Sequence, residues 1–124
     1  MEWRMNFFKK YFKKILPTLF KHFKALDLRV EDYFFTWLLT LYSGCMNPSI
    51  VARIWDCFIL EGETYAFKVG IGILKLFEVE LKILNYHGIL DFLKLLPDEI
   101  REDEFFDMVD DIRIPAYLYN QQLE

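Results

Sequence analysis

Cysteine is scarce in this chain of 124 residues: Cys45 and Cys57 stand alone, with no CxxC spacing and no clustering with His22 or His87. Neither a disulfide framework nor a zinc site is therefore indicated, and a reduced, intracellular, cytoplasmic setting is expected. Long lipid-like runs are missing as well. The longest, residues 33–46 (YFFTWLLTLYSGCM), falls short of the roughly 20 residues that span a bilayer and reads as a buried helix. No apolar segment ending in small residues marks a secretory leader, and Glu2 together with few serines argues against a transit peptide. No stretch alternates with period two, no unit repeats, and no linker divides the chain. These absences exclude a strand-built fold and leave a single domain.

Apolar surface is plentiful. With 54% hydrophobic and 19% aromatic residues, the chain can drive a core. In residues 1–16, Trp3, Phe7, Phe8, Tyr11, Phe12 and Ile15 follow the three-four spacing of a helix with one apolar face. Pro17 interrupts it and suits the first turn of a second helix over 18–25. A third helix is predicted over 30–43, with Phe34, Trp37, Leu38 and Leu41 on one side and Gly44 ending it. Asn47-Pro48 pairs an N-cap with the residue best tolerated at the first helical position, so residues 48–60 form the next helix, stopped by Gly62. Residues 64–84 are apolar nearly all round, the mark of a helix wrapped by others. Gly70-Ile71-Gly72 within it lacks a third glycine and follows no strand, so it predicts close helix approach rather than a phosphate loop. Helices over 89–96 and 103–112 complete the predicted fold, an all-α bundle of six or seven helices.

The net charge of −4 is mild but uneven. Arg4, Lys9, Lys10, Lys13, Lys14, Lys21 and Lys24 face only Glu2 in residues 1–26, whereas acids crowd into residues 98–111. Lys9, Lys10, Lys13 and Lys14 lie beside Trp3, Phe7, Phe8, Phe12 and Ile15 in a cationic amphipathic segment. Two readings stand: the helix packs on the domain with its lysines in water, or it engages an anionic membrane surface or a groove on a partner. Nucleic acid is not expected, because the rest of the chain would repel phosphate.

Residues 53–62 (RIWDCFILEG) place two charges in an apolar helix. Ile50, Ile54 and Phe58 share one face and Val51, Trp55 and Ile59 an adjacent one, so Arg53 and Asp56 are expected close to neighbouring helices. Their i,i+3 spacing allows them to meet, as a clasp that sets helix register; direct contact with a partner is the alternative.

Taken in order, His22-Phe23, the Trp37 helix (YFFTWLLTLYSG), Arg53-Ile54-Trp55-Asp56, Glu61-Gly62 and the helix AFKVGIGILKL (residues 66–76) resemble the C-terminal half of a TBC domain, the all-helical module that activates Rab GTPases. The resemblance covers residues 16–112. With the basic helix read from the residues over 1–16, it leaves the domain half over 17–112 and a tail over 113–124. It also implies a Rab-type small GTPase as partner, no cofactor, a role in vesicle trafficking with peripheral placement at endomembranes, and a scaffolding role for the RIWD segment. The family's chemistry resembles a two-finger mechanism: an Arg from IxxDxxR stabilises charge on the transferred phosphoryl group, and a Gln from YxQ orients the attacking water. Both motifs belong upstream of the Trp37 helix, in a half this sequence does not contain. Without them the chain is not expected to catalyse, although it can still serve as a binding module for a GTPase or a membrane.

Two imitations lie in the wrong place. Residues 100–106 (IREDEFF) fit IxxDxx but carry Phe106 where Arg is required, and Tyr119-Asn120-Gln121 fits YxQ near the C-terminus. Neither is expected to act. Ser43 and Ser49 lie in no nucleophile elbow, and nothing in the spacing brings Cys45 or Cys57 to a histidine.

Overall fold

A computed structural model describes residues 2–115. Tyr119-Asn120-Gln121 and all of the expected tail beyond residue 115 lie outside the described residues. The fold is all-α, and among the described residues there is no strand. Eight helices follow in order: α1 (Glu2–Ile15), α2 (Pro17–Ala25), α3 (Phe34–Thr40), α4 (Pro48–Glu61), α5 (Glu63–Leu76), α6 (Glu78–Lys82), α7 (Tyr86–Lys94) and α8 (Glu102–Asp111), with a 3-10 turn at Val30–Asp32 ahead of α3.

The start signals act as the residues dictate. Pro17 opens α2, and Leu16 before it leaves helical geometry at φ −125° and ψ 63°, as the residue preceding a proline is pressed to do. The Asn47 side chain accepts the Ser49 backbone N–H at 2.9 Å, capping α4 ahead of Pro48. Gly62 stops that helix at φ +84°, its own N–H returning to the Phe58 carbonyl at 2.8 Å.

Three elements differ from the sequence expectation. The helix expected over 64–84 divides at Phe77, giving eight helices among the described residues where six or seven were expected. The Phe77 ring packs on Phe92 with centroids 5.1 Å apart, and the bend carries α6 against α2. The helix expected to run to Gly44 ends at Thr40, because Leu41 and Tyr42 both take positive φ, 47° and 67°. Such conformations cost on the order of 1–2 kcal/mol each in a non-glycine residue. Here they are offset by sending the Tyr42 ring into the core against Trp37 and its hydroxyl to the Ala66 carbonyl at 2.5 Å. Finally, α7 begins at Tyr86 because Asn85 caps it, accepting the Gly88 N–H at 2.8 Å; Gly88 lies inside the helix instead of ahead of it.

The core is built round α5, of which residues 64–67 and 69–74 are buried. Helices α1, α3, α4, α6 and α8 all pack on it. Its two glycines admit their neighbours as expected. A Cβ on Gly70 would lie 2.7 Å from Phe8 Cε2, with Phe34 and the Tyr42 hydroxyl at 3.0 Å, and one on Gly72 would lie 2.8 Å from Val109 Cγ2 on α8. Aromatic rings fill the space between α1, α3 and α5: Phe8 stacks on Phe34 at 3.8 Å, and Phe67 touches both Phe34 and Phe7. The apolar face of α1 is thus committed to the interior, through Met5, Phe7, Phe8, Tyr11 and Phe12.

Candidate functional site

The residues singled out in the sequence do not converge on one cleft. Each reaches a different part of the chain. His22 on α2 donates from Nε2 to the Leu84 carbonyl at 2.9 Å, beyond the end of α6, while Phe23 beside it is buried against Phe12. Trp37 on α3 donates from Nε1 to the Leu93 carbonyl of α7 at 3.4 Å. Trp55 on α4 donates to the Leu41 carbonyl at 2.9 Å, at the left-handed end of α3. Ile54 is fully buried, and Glu61 is exposed beside the Gly62 turn. The His22 and Trp37 contacts join segments distant in sequence, whereas those of Phe23 and Trp55 join neighbouring ones.

The expected Arg53–Asp56 clasp is not formed. Both residues are exposed, and among the described residues no ion pair involves Asp56. Arg53 reaches across to α8 instead. Its Nη1 lies 3.4 Å from Glu102 and 3.9 Å from Asp103, and its guanidinium sits 4.2 Å from the centre of the Phe106 ring. One turn of an exposed helix gives an isolated i,i+3 pair only a few tenths of a kcal/mol, whereas α8 presents two carboxylates and an aromatic face together. Phe106, at the place where the IxxDxx imitation would need its Arg, is buried in the core.

Among the described residues no group of three or more His, Cys, Asp and Glu side chains is placed to hold a metal ion. Burial raises the Cys45 thiol to about 11, and its Sγ donates weakly to the Tyr42 carbonyl at 3.4 Å. A thiol held neutral in this way is a poor nucleophile. Among the described residues the buried Tyr33 hydroxyl has no hydrogen-bond partner, and desolvation pushes the Tyr33 and Tyr65 phenols upward, for Tyr65 with Cys57 beside it adding to the shift.

Two surfaces stand out. Lys9, Lys10, Lys13 and Lys14 on α1 and Lys21 and Lys24 on α2 are all exposed. Phe35, Leu39, Trp55 and Ile59 are exposed on α3 and α4, and Leu39 also lines a groove of about 310 Å³ together with Leu38, Leu41, Phe58 and Glu63. Periodicity alone did not separate these apolar residues from core residues, since they continue the helical stripes of buried neighbours. Among the described residues no helix is long and apolar enough to cross a membrane.

Residues 1–82 match the family model described as the Rab-GTPase-TBC domain. The chain is 36% identical over 109 residues to TBC1 domain family member 14 of Mus musculus, covering 88% of this chain and 16% of that protein. It is 35% identical over 102 residues to TBC1 domain family member 12 of Rattus norvegicus, covering 82% and 15%, and 30% identical over 111 residues to Drainin of Dictyostelium discoideum, covering 89% and 25%. The chain thus spans only a small part of the relatives it matches. In fold it is similar to the crystal structure of the Ypt/Rab-GAP domain of Gyp1p, with a TM-score of 0.73 at 17% identity, over 94% of this chain and 36% of that one.

Proposed function

This chain belongs to the Rab-GTPase-TBC domain family, and from that premise we propose that it is the C-terminal half of a Rab-activating module, acting in vesicle trafficking and inactive on its own. Residues 17–112 form that half, residues 1–16 a basic helix packed onto it and residues 113–124 a tail. The observation that carries this reading is the family match over residues 1–82 in a sequence with no IxxDxxR followed by YxQ. The family's two fingers supply charge stabilisation and water positioning, and loss of an arginine finger alone removes on the order of 10³–10⁵ in rate. The residues shared with the family, His22, Phe23, Trp37, Arg53, Ile54, Trp55, Asp56, Glu61 and Gly62, are on this reading scaffold; His22, Phe23, Trp37, Arg53 and Trp55 support it by contacts that join separate segments, and Gly62 by stopping α4.

Phosphate release from a panel of GTP-loaded Rab proteins tests the proposal. The purified chain leaves every rate at its intrinsic value; acceleration of any one by the chain alone refutes it.

The exposed lysines favour a second reading, that of a non-catalytic module held at an anionic membrane surface inside the cell. Because the apolar face of α1 lies in the core, such contact is electrostatic, without insertion, at about 1 kcal/mol for each lysine near the surface. It therefore weakens with salt. Flotation with phosphatidylserine vesicles tests it: unchanged partitioning after replacing Lys9, Lys10, Lys13 and Lys14 by Gln counts against the lysines.

A further inference from the structure

We propose that the cleft between α3 and α7 binds a small carboxylic acid with a flat apolar body and a neutral donor beside its carboxylate, the chemistry of an aromatic α-hydroxy acid. Three contacts fix the two sides of this cleft. The Tyr86 hydroxyl donates to Asp32 at 3.4 Å, Trp37 Nε1 donates to the Leu93 carbonyl at 3.4 Å, and the Leu96 N–H donates to the Cys45 carbonyl at 2.9 Å. Residues 32–45 and 86–96 therefore run side by side in one direction. The space left between them measures about 270 Å³, just under the range of about 300–1,000 Å³ that holds drug-sized ligands. It suits a single ring. Tyr33, Trp37, Leu90 and Leu93 supply its apolar lining, and all but Leu90 are fully buried, so a ring entering here meets aromatic and aliphatic surface.

The two ends of the cleft differ in what they leave unmatched. At one end the Asp32 carboxylate is already engaged, accepting the Arg29 N–H at 3.0 Å and the Tyr86 hydroxyl, with Arg29 Nη2 at 3.9 Å. At the other, Lys94 lines the cleft with Thr40 and Ser43 and makes no ion pair among the described residues. The Leu96 to Cys45 hydrogen bond sets Lys94 and Ser43, each two residues earlier, at this same end. Both hydroxyls spend their protons on their own segment: Thr40 Oγ1 donates to the Thr36 carbonyl at 2.9 Å, and Ser43 Oγ to the Thr40 carbonyl at 2.8 Å. Each oxygen keeps only acceptor capacity. An occupant thus meets one cation and two acceptors beside an apolar slot. A carboxylate answers the cation, an adjacent donor answers the hydroxyl oxygens, and a ring fills the slot. The donor is a neutral hydroxyl, because an ammonium in that place would face Lys94 as a like charge.

The site is independent of the activator reading, so binding of small molecules to the full chain tests it alone. Phenyllactate carries the carboxylate and the hydroxyl, phenylpropionate lacks the hydroxyl, phenylpropanol lacks the charge, and phenylalanine replaces the hydroxyl by an ammonium. Each is titrated into isotope-labelled chain and followed by nuclear magnetic resonance. Saturable shifts are expected at the Trp37 indole N–H and at the Thr40 and Ser43 amides, with phenyllactate the tightest of the four. Lys94→Gln, at an exposed position, weakens both phenyllactate and phenylpropionate about tenfold and leaves phenylpropanol unchanged. Thr40→Trp, which fills the slot from its exposed wall, removes every response, and Tm from circular dichroism checks that both variants fold. No saturable shift with phenyllactate at millimolar concentration overturns the proposal, as do shifts confined to the lysines of α1 and α2. So does an affinity for phenyllactate that Lys94→Gln leaves unmoved, or one that phenylpropionate, phenylpropanol or phenylalanine equals.

Discussion

The Arg53 guanidinium lies 4.2 Å from the centre of the Phe106 ring while its Nη1 reaches Glu102, one helical turn earlier on α8. Helices α4 and α8 are therefore joined at the surface by one side chain serving two partners. A cation over an aromatic face at a partly exposed site is worth about 0.5–1 kcal/mol, and an exposed ion pair adds between zero and about 1 kcal/mol. Arg53→Ala is expected to lower unfolding stability by about 1 kcal/mol in urea titrations. Asp56→Ala is expected to stay within about 0.5 kcal/mol of the parent, as for a surface position with no ion pair among the described residues. Equal losses for the two variants would restore the Arg53–Asp56 clasp.

Gly70 faces three aromatic side chains. Replacing it with Ala places a methyl 2.7 Å from Phe8 Cε2, and the stacked pair Phe8–Phe34 leaves little room to retreat. Overpacking of this kind costs about 1–3 kcal/mol, against a helix-propensity gain of about 1 kcal/mol from the same change. A net loss is expected in thermal denaturation. A more stable Gly70→Ala variant would mean that the aromatic cluster yields freely.

Gly62 presents the opposite case, since a Cβ there meets nothing within 4 Å. Its cost is purely one of backbone, arising from φ +84° and ψ −168°, a region essentially confined to glycine. Gly62→Ala is expected to destabilise by about 1–3 kcal/mol, with the same fold by circular dichroism. A neutral result would show that the α4–α5 corner can relax to negative φ.

Alkaline pH should weaken the fold. Burial raises Cys45 from 9.0 to about 11 and pushes the phenols of Tyr33, Tyr42 and Tyr65 above their ordinary value of 10.0. The folded chain keeps these protons where the unfolded chain releases them. Their influence is nil below pH 9, and stability falls as the pH climbs from 9 through about 11. Guanidinium unfolding midpoints at pH 8 and pH 10 check this, together with the slow alkylation of Cys45 by iodoacetamide at pH 8. A midpoint that holds or rises at pH 10 would contradict the buried, neutral state of these groups.

Much of the helical order was legible because its signals are local. Pro17, Asn47-Pro48 and Gly62 act through their own φ and ψ or their own side-chain reach, so they mark boundaries wherever they occur. Gly70 and Gly72 announced close packing for a similar reason: a missing Cβ on an apolar helix has few other uses. The bend at Phe77 and the early end of α3 were not legible, since neither Phe77 nor the Leu41-Tyr42 pair has an intrinsic tendency to break a helix. Contacts with Phe92, Trp37 and Ala66 impose those conformations.

By itself, the sequence determined the all-α class, the helix starts and the ordered blocks shared with the Rab-GTPase-TBC domain family. Tertiary structure decided which apolar residues are core and which are surface. Phe34 and Phe35 are chemically identical, as are Ile54 and Ile59, but one of each pair is fully buried and the other exposed. The physical reason is that hydrophobicity states only that a side chain is better off covered. What covers it depends on helices distant in sequence, and on α3 and α4 their arrangement leaves Phe35, Leu39, Trp55 and Ile59 exposed.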